Sequence, residues 1–137
     1  DGRKMSKSYD NYVPIFAQQK ALKKLIMKIV TDSKRPEDPK DANESTIYLL
    51  YQHFASEAEA QAMRKQFSDG GLGYGDAKKM LFEMIDNTMA EPREKYYELL
   101  ANPQQIEDVL MAGAEKARIV AKETIERVSK AMLGRSV

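Results

Sequence analysis

The N-terminal segment of the chain carries two lysines whose spacing suits a polyphosphate. After Gly2 the segment reads Lys4-Met5-Ser6-Lys7-Ser8. Lysine ammonium groups are compact point charges on long stems, and hydroxyl groups between them can donate hydrogen bonds to the same anion. The pattern predicts that Lys4 and Lys7 can offer two ammonium groups to one polyphosphate, with the small hydroxyl residues Ser6 and Ser8 beside them. The alternative is a basic N-terminal strip that is simply solvated.

The composition is that of one globular domain with a real core. The chain has 137 residues, of which 42% are hydrophobic and 31% are charged. A chain of this length and polarity buries a sizeable core and is not disordered. The net charge of +1 hides an asymmetry, since residues 1–40 contain 10 basic and 5 acidic residues while residues 41–137 contain 12 and 16. We therefore expect anions such as phosphates to bind at the basic N-terminal part of the chain, residues 1–40.

Several kinds of chemistry are excluded by the residues that the chain lacks. There is no cysteine and only one histidine, His53. Disulfides, thiolate metal sites and ordinary Ser-His or Cys-His catalysis are therefore excluded, and we predict no metal site in this chain. His53 lies among apolar neighbours and is interpreted as a packing or helix-surface residue. No apolar run reaches the roughly 18 residues that span a membrane, and no signal peptide is visible, so we expect a cytoplasmic protein without a membrane partner.

Helical periodicity dominates the rest of the chain. Apolar residues recur at helical spacing over residues 18–30, and Ser56 with Glu59 forms a capping-box pattern at the start of another helix. Further helices are predicted to begin near Ser45 or Thr46, at an Asp76 cap, and at Pro103, with a restart or kink at Pro92. Nothing between residues 18 and 137 alternates with period two, so no strands are expected.

The predicted fold is all-α, a bundle of five or six helices with a long C-terminal helix. We predict that residues 1–17 form a flexible loop and connector and that residues 18–137 form the helical domain. The C-terminal helix is expected to run from Pro103 to about Leu133 and to face inward with one line of mostly apolar residues: Ile106, Val109, Leu110, Ala114, Ala117, Ala121, Thr124 and Val128.

The lysine loop resembles the KMSKS signature loop of class I aminoacyl-tRNA synthetases. Four later stretches follow in the order expected of the bacterial tryptophanyl branch of that family: Val30-Thr31-Asp32-Ser33, residues 73–79, Arg93-Glu94-Lys95-Tyr96 and residues 113–118. The resemblance implies that this chain is the C-terminal portion of such an enzyme and that the Rossmann catalytic domain is absent from it. It also implies that this portion alone is inactive.

The resemblance further implies a reaction and its substrates. In this family the carboxylate of tryptophan attacks the α-phosphate of ATP, bound with Mg2+, and the aminoacyl adenylate is then transferred to tRNA(Trp). Carried over to this chain, Lys4 and Lys7 would stabilise the pyrophosphate leaving group. Met5, Ser6 and Ser8 would complete the ATP-binding loop with these two lysines. The family's homodimer forms largely through the catalytic domain, so this portion is expected to be monomeric.

The helical part resembles the region that recognises the anticodon end of the tRNA. Five basic residues are candidates for that contact, although an ordinary solvated charge is the favoured interpretation of each: Arg64, Lys65, Lys78, Lys79 and Arg93. Two other functions stay open at this point. One is another class I synthetase, such as the tyrosyl enzyme; the other is a non-enzymatic helical RNA-binding module. A purely structural bundle would leave the lysine loop unexplained.

Overall fold

The fold is all-α, as predicted. The computed structural model describes residues 2–134, and within that range it contains five α-helices and no strand. The helices are α1 (Gln19–Met27), α2 (Thr46–Tyr51), α3 (Glu57–Asp69), α4 (Tyr74–Ala101) and α5 (Pro103–Leu133), with short 3-10 turns at Lys7–Tyr9 and Ala42–Glu44. The helix count and the long C-terminal helix are confirmed.

Backbone contacts divide the chain into two compact units between Glu94 and Lys95. The first unit contains the lysine loop, α1 to α3 and most of α4. The second contains the last turns of α4 together with α5. The functional boundary that we placed between residues 17 and 18 remains a prediction.

The first unit holds the hydrophobic core. The helical spacing of apolar residues places them on the inner faces of its helices, and burying one such large side chain contributes about 1.5–3 kcal/mol. The buried core residues come from α1 to α4 and their connections: Leu22, Ile26, Ala42, Ile47, Tyr48, Tyr51, Met63, Phe67, Leu72, Ala77, Leu81 and Ile85.

Two serines start helices as predicted. Ser45 accepts a hydrogen bond from the Tyr48 amide of α2 at 3.4 Å. At α3 the capping box is complete, because the Glu59 amide donates to Ser56 Oγ at 3.4 Å and the Ser56 amide donates to the Glu59 carboxylate at 2.8 Å. The Ser56 hydroxyl and amide also lower the pKa of the Glu59 carboxyl group, because they stabilise its charged form.

Lys40 organises the long connection between α1 and α2, and sequence reasoning missed it. Its side chain is buried, and Nζ donates to the carbonyl oxygens of Arg35, Pro36 and Asp38 at 2.7, 3.1 and 2.8 Å. Three carbonyl acceptors satisfy the three donors of the ammonium group, which removes the usual penalty for burying them. The connection is therefore a fixed structure built around one buried charge.

The same connection packs tightly on the end of α3. The Lys40 amide donates to the Phe67 carbonyl and the Gly71 amide donates to the Pro36 carbonyl, each at 2.7 Å. Gly70 has φ +78°, and a Cβ at this position would lie 2.3 Å from the carbonyl oxygen of Glu37. Both the backbone conformation and the close approach therefore require glycine at residue 70.

Three local predictions were wrong. Helix α1 ends at Met27 and not at Val30, because the Lys28 and Ile29 amides bond three residues back and tighten the last turn. Asp76 lies in the first turn of α4 and is not its cap, since the Ala77 amide bonds to the Gly73 carbonyl. Of the restart or kink predicted at Pro92, the restart is wrong, because α4 is one helix from Tyr74 to Ala101. The helix continues although this proline lacks an amide hydrogen and its ring crowds the carbonyl four residues back.

The prediction of burial along α5 was also wrong for the described residues. The helix itself is confirmed and has 31 residues, but all eight residues of the predicted inward line are exposed. Val109 and Leu110, for example, are 70% and 60% exposed. The second unit contains only this helix and the end of α4, so it has too little protein of its own to cover the line. No described helix is long and apolar enough to cross a membrane.

Candidate functional site

The lysine loop is folded into a tight turn by its own backbone. Ser6 caps the 3-10 turn Lys7–Tyr9, since its Oγ accepts a hydrogen bond from the Ser8 amide at 3.2 Å. The amides of Tyr9 and Asp10 donate to the carbonyls of Ser6 and Lys7, each at 3.2 Å. Asp10 closes the turn with φ +50°, a left-handed conformation that aspartate tolerates better than most residues.

Asn11 holds the two sides of this turn together. Its Oδ1 accepts from the Ser6 amide at 2.8 Å, and its Nδ2 donates to the Lys4 carbonyl at 3.4 Å. Short amide side chains commonly bond to nearby backbone groups in this way. Sequence reasoning missed the role of Asn11, although its place just after the turn was the available signal.

The two ammonium groups of the loop have no partner in the part of the chain that the structure describes. Lys4 and Lys7 are exposed, and within residues 2–134 neither side chain forms a hydrogen bond or an ion pair. The Arg3 guanidinium lies over the ring of Tyr9, 4.5 Å from its centroid. The amides of Ser6, Ser8, Tyr9 and Asp10 are used inside the turn, so these four cannot bind an anion while the turn is closed.

The connector that follows the loop is held to α4 by a buried polar cluster. Arg93 Nη2 lies 2.7 Å from Asp86 Oδ1, and the two side chains are only 13% and 10% exposed. Arg93 Nη1 donates to the Ala17 carbonyl at 3.2 Å, and Gln19 Nε2 donates to Asp86 Oδ2 at 2.5 Å. Arg93, one of our candidates for tRNA contact, is therefore placed inside the first unit.

Arg64 and Lys65, the next two candidates, are exposed on α3 and have partners in the protein. Arg64 donates to the Tyr48 hydroxyl at 3.1 Å and to Asn43 Oδ1 at 2.9 Å, and its guanidinium lies 5.1 Å from the Tyr48 ring centroid. Lys65 pairs with Asp69 one turn further on. Ion pairs with this much solvent contribute little to stability, so the Lys65 charge remains usable by a partner.

Lys78 and Lys79, the last two candidates, lie near the start of α4. Lys78 Nζ donates to the Met27 carbonyl at 3.2 Å and so satisfies an otherwise unpaired group at the end of α1. Lys79 pairs with Asp76 at 2.8 Å, and this carboxylate raises the pKa of the Lys79 ammonium group. Each of the five candidates thus has a structural partner, and only Arg93 is nearly enclosed.

A polar cleft of about 400 Å³ lies beside the start of the loop. Gly2 lines one part of the cleft. Three carboxylates and one ammonium group also line it: Asp32, Asp41, Glu44 and Lys34. Tyr74 lies at its wall, where burial and the hydrogen bond to Asp32 raise the tyrosine pKa to about 12. The Lys34 amide, 3.0 Å from Asp32 Oδ1, lowers the pKa of that carboxyl group. The excess of negative charge favours hydrogen-bond donors over phosphates in this cleft.

The described part of the chain contains no cluster of side chains that could hold a metal ion. Over residues 2–134, no three histidine, aspartate or glutamate side chains come together as metal ligands. A metal ion that accompanies a polyphosphate substrate would reach the loop with that substrate.

The site is thus a tightly turned loop on an all-α unit, with two lysines that have no partner within residues 2–134. A family profile described as tRNA synthetases class I (W and Y) matches residues 1–90. Because the match covers more than half of the chain, the chain belongs to that family.

Particular relatives narrow the resemblance. The chain is 47% identical over 137 residues to the tryptophan–tRNA ligase of Pseudomonas aeruginosa and 45% identical over 132 residues to that of Neisseria meningitidis. These matches cover 100% and 96% of this chain. A crystal structure of the tryptophanyl-tRNA synthetase of Campylobacter jejuni, complexed with ADP and tryptophan, superposes with a TM-score of 0.91 at 41% identity over 96% of this chain.

The chain spans only part of these relatives. It corresponds to 30% of the Pseudomonas aeruginosa protein, 39% of the Neisseria meningitidis protein and 41% of the Campylobacter jejuni chain. The activity of a whole enzyme therefore remains a proposal for this chain.

Proposed function

We propose that this chain is part of a tryptophan–tRNA ligase and that its lysine loop stabilises the pyrophosphate released when ATP activates tryptophan. The observation that carries the proposal is the pair of exposed ammonium groups on Lys4 and Lys7, set on a preformed turn that leaves both without a partner in residues 2–134. Membership of the class I family supports the reaction type, and the similarity to tryptophan–tRNA ligases supports the amino acid.

Activation of an amino acid by ATP needs stabilisation of the developing negative charge more than covalent catalysis by the protein. When a carboxylate displaces pyrophosphate from ATP, negative charge grows on the β- and γ-phosphates, and positioned cations lower the barrier by binding that charge more tightly in the transition state. Lysine suits this task because its ammonium group is a mobile point charge. Ser6 and Ser8 can add hydroxyl donors from the same loop, and Met5, which lies between Lys4 and Ser6, is 43% exposed.

The hydrogen bonds of the loop are short-range, and this suits a segment that must close on its substrate. Within the described chain, the hydrogen bonds of residues 4–10 all run to partners in the segment 4–11. Such a segment can tighten around bound ATP and reach its strongest contacts only at the transition state, which raises turnover more than ground-state affinity.

The helical surface of the first unit is the proposed contact for the tRNA. Arg64, Lys65, Lys78 and Lys79 are the basic candidates that keep solvent contact. Non-specific phosphate contacts of this kind respond to salt, so a residue that binds RNA should lower the salt dependence of tRNA binding when its charge is reversed. An unchanged affinity and an unchanged salt slope would remove that residue from the set.

The direct test of the proposal is amino-acid-dependent exchange of pyrophosphate into ATP by the natural protein that carries this chain. Tryptophan should support exchange and tyrosine should not. Exchange with tyrosine alone would keep the loop chemistry and change the amino acid. No exchange with any amino acid would contradict the proposal and would favour the non-enzymatic helical RNA-binding module.

A further inference from the structure

The polar cluster at the base of the lysine loop is unusual for its burial. Asp86 and Arg93 are seven residues apart on α4, two turns along one face, and their ion pair measures 2.7 Å. Both side chains are nearly enclosed, at 10% and 13% exposure. Removing charges from water is costly, so a buried pair needs further hydrogen bonds to be tolerated. Those further bonds come from one short stretch of chain.

Each member of the pair binds the end of the loop's connector. Arg93 reaches back 76 residues to the Ala17 carbonyl, and Asp86 accepts from the Gln19 side chain, 67 residues away. Gln19 is the first residue of α1, and Ala17 is the last but one before that helix. The two bonds therefore hold the point where the connector becomes a helix.

The contacts of the lysine loop itself join residues close in sequence, unlike the long-range contacts of the nearly enclosed Asp86 and Arg93. Asn11 and Ser6 close the turn within a few residues, and the two lysines are exposed. Movement of the turn as a whole is therefore limited by where its connector is attached. Val13 and Ala17 also pack against the core, so the attachment combines apolar packing with the buried ion pair.

We propose that Asp86 and Arg93 are positioning residues for the lysine loop: they fix the end of its connector so that Lys4 and Lys7 close on the pyrophosphate from a defined base. The inference rests on the proposed function. Neither residue touches the substrate in this account. Their effect comes from geometry, since a displacement of about 1 Å in a positioning group can reduce a rate by as much as 100-fold.

The test uses the natural protein and three variants. Arg93→Ala removes the guanidinium and should lower the single-turnover rate of adenylate formation about 10-fold, with the tryptophan KM unchanged, since the displaced group positions the transition state. Arg93→Lys keeps a charge beside Asp86 but lacks the planar fork that serves two acceptors, so it should recover part of the rate. Arg35→Ala, which removes an exposed arginine away from the cluster, is the matched control and should keep the wild-type rate.

A second measurement separates positioning from folding. Arg93→Ala leaves a buried carboxylate without its cation and should lower stability, so rates are compared at a temperature where circular dichroism shows all variants folded. Amide hydrogen exchange should become faster over residues 12–18 in Arg93→Ala and stay unchanged in α3. An unchanged adenylate rate in a destabilised Arg93→Ala protein would overturn the inference and leave the pair a purely structural one. A wild-type protein without any exchange activity would instead overturn the proposed function itself.

Discussion

The lysine loop and the helical frame of the first unit are held in opposite ways. The loop is exposed, and within the described chain the hydrogen bonds of residues 4–10 stay within residues 4–11. The frame is held by side chains with almost no exposure, such as Ile47 and Phe67, and by contacts that join distant parts of the sequence. The groups with available charge lie on the loop, and the groups that stabilise the fold lie in the frame.

This difference teaches how one small unit can combine stability with movement. A cation that must bind charge only at the transition state is best placed on a segment that costs little to move. A frame with long-range buried contacts keeps the start of that movement fixed. Variants in the loop should therefore change the rate and leave the stability alone. Variants in the frame away from the Asp86–Arg93 attachment should do the reverse.

The largest effect is expected in the loop. In the natural protein that carries this chain, Lys4→Ala or Lys7→Ala should slow adenylate formation about 100-fold, the scale of losing one donor that stabilises transition-state charge. Tryptophan affinity should stay unchanged. The free energy of unfolding should change by less than about 0.5 kcal/mol, because exposed charges contribute little to stability. Rapid-quench kinetics measures the rate of adenylate formation, and denaturant titration measures the free energy of unfolding. A wild-type rate in both variants would contradict the contrast between loop and frame.

The next effect belongs to the frame. Gly70→Ala should destabilise the protein by about 2–4 kcal/mol, because a Cβ there meets the Glu37 carbonyl at 2.3 Å and φ is +78°. Gly75→Ala is the matched control. It lies in α4 with nothing within 4 Å of the added Cβ, and it should be neutral or stabilising by up to about 1 kcal/mol. Equal stabilities of the two variants in urea titrations would contradict the described packing.

A smaller effect is expected at the start of α3. Ser56→Ala removes the cap that pairs with Glu59 and should cost about 1 kcal/mol. Ser33→Ala, an exposed serine outside any helix, is the control and should be neutral. Thermal unfolding followed by circular dichroism compares the two. A Ser56→Ala protein as stable as the control would show that the capping box contributes nothing to this frame.

The smallest effect depends on pH. Burial and Asp32 raise the pKa of Tyr74 from 10.0 to about 12, so the neutral phenol is favoured in the folded state. Its contribution to stability is fully present below pH 10 and is lost as the pH rises through about 12. Tyr74→Phe should therefore show less loss of stability between these values than the wild-type protein. Parallel curves of unfolding free energy against pH for the two proteins would remove this role of Tyr74.

Local patterns in the sequence predicted much of the fold and part of the candidate site. Helical periodicity and the Ser56–Glu59 pattern identified the elements, because both depend on neighbours a few residues apart. The spacing of the two lysines, together with the resemblance to the KMSKS loop, singled out Lys4 and Lys7. The burial of Arg93 could not be predicted, because it depends on the contact of Arg93 with Ala17, 76 positions away, and on that of Asp86 with Gln19, 67 positions away. Lys40 was missed for a similar reason, since only the folded connection brings three carbonyls to one ammonium group.

The exposure along α5 marks another limit of periodicity. An apolar line at helical spacing predicts a helix correctly, but it does not say whether anything covers that line. Val109, Leu110 and Val128 are 70%, 60% and 49% exposed in the described chain.

The most direct test of the account is single-turnover adenylate formation from tryptophan and ATP, measured side by side for Lys7→Ala and Gly70→Ala in the natural protein. At a temperature where both variants are folded, we predict a rate about 100-fold below wild type for Lys7→Ala and a rate close to wild type for Gly70→Ala. A normal rate for Lys7→Ala, or an equal loss in both variants, would contradict the claim that the loop carries the chemistry and the frame carries the stability.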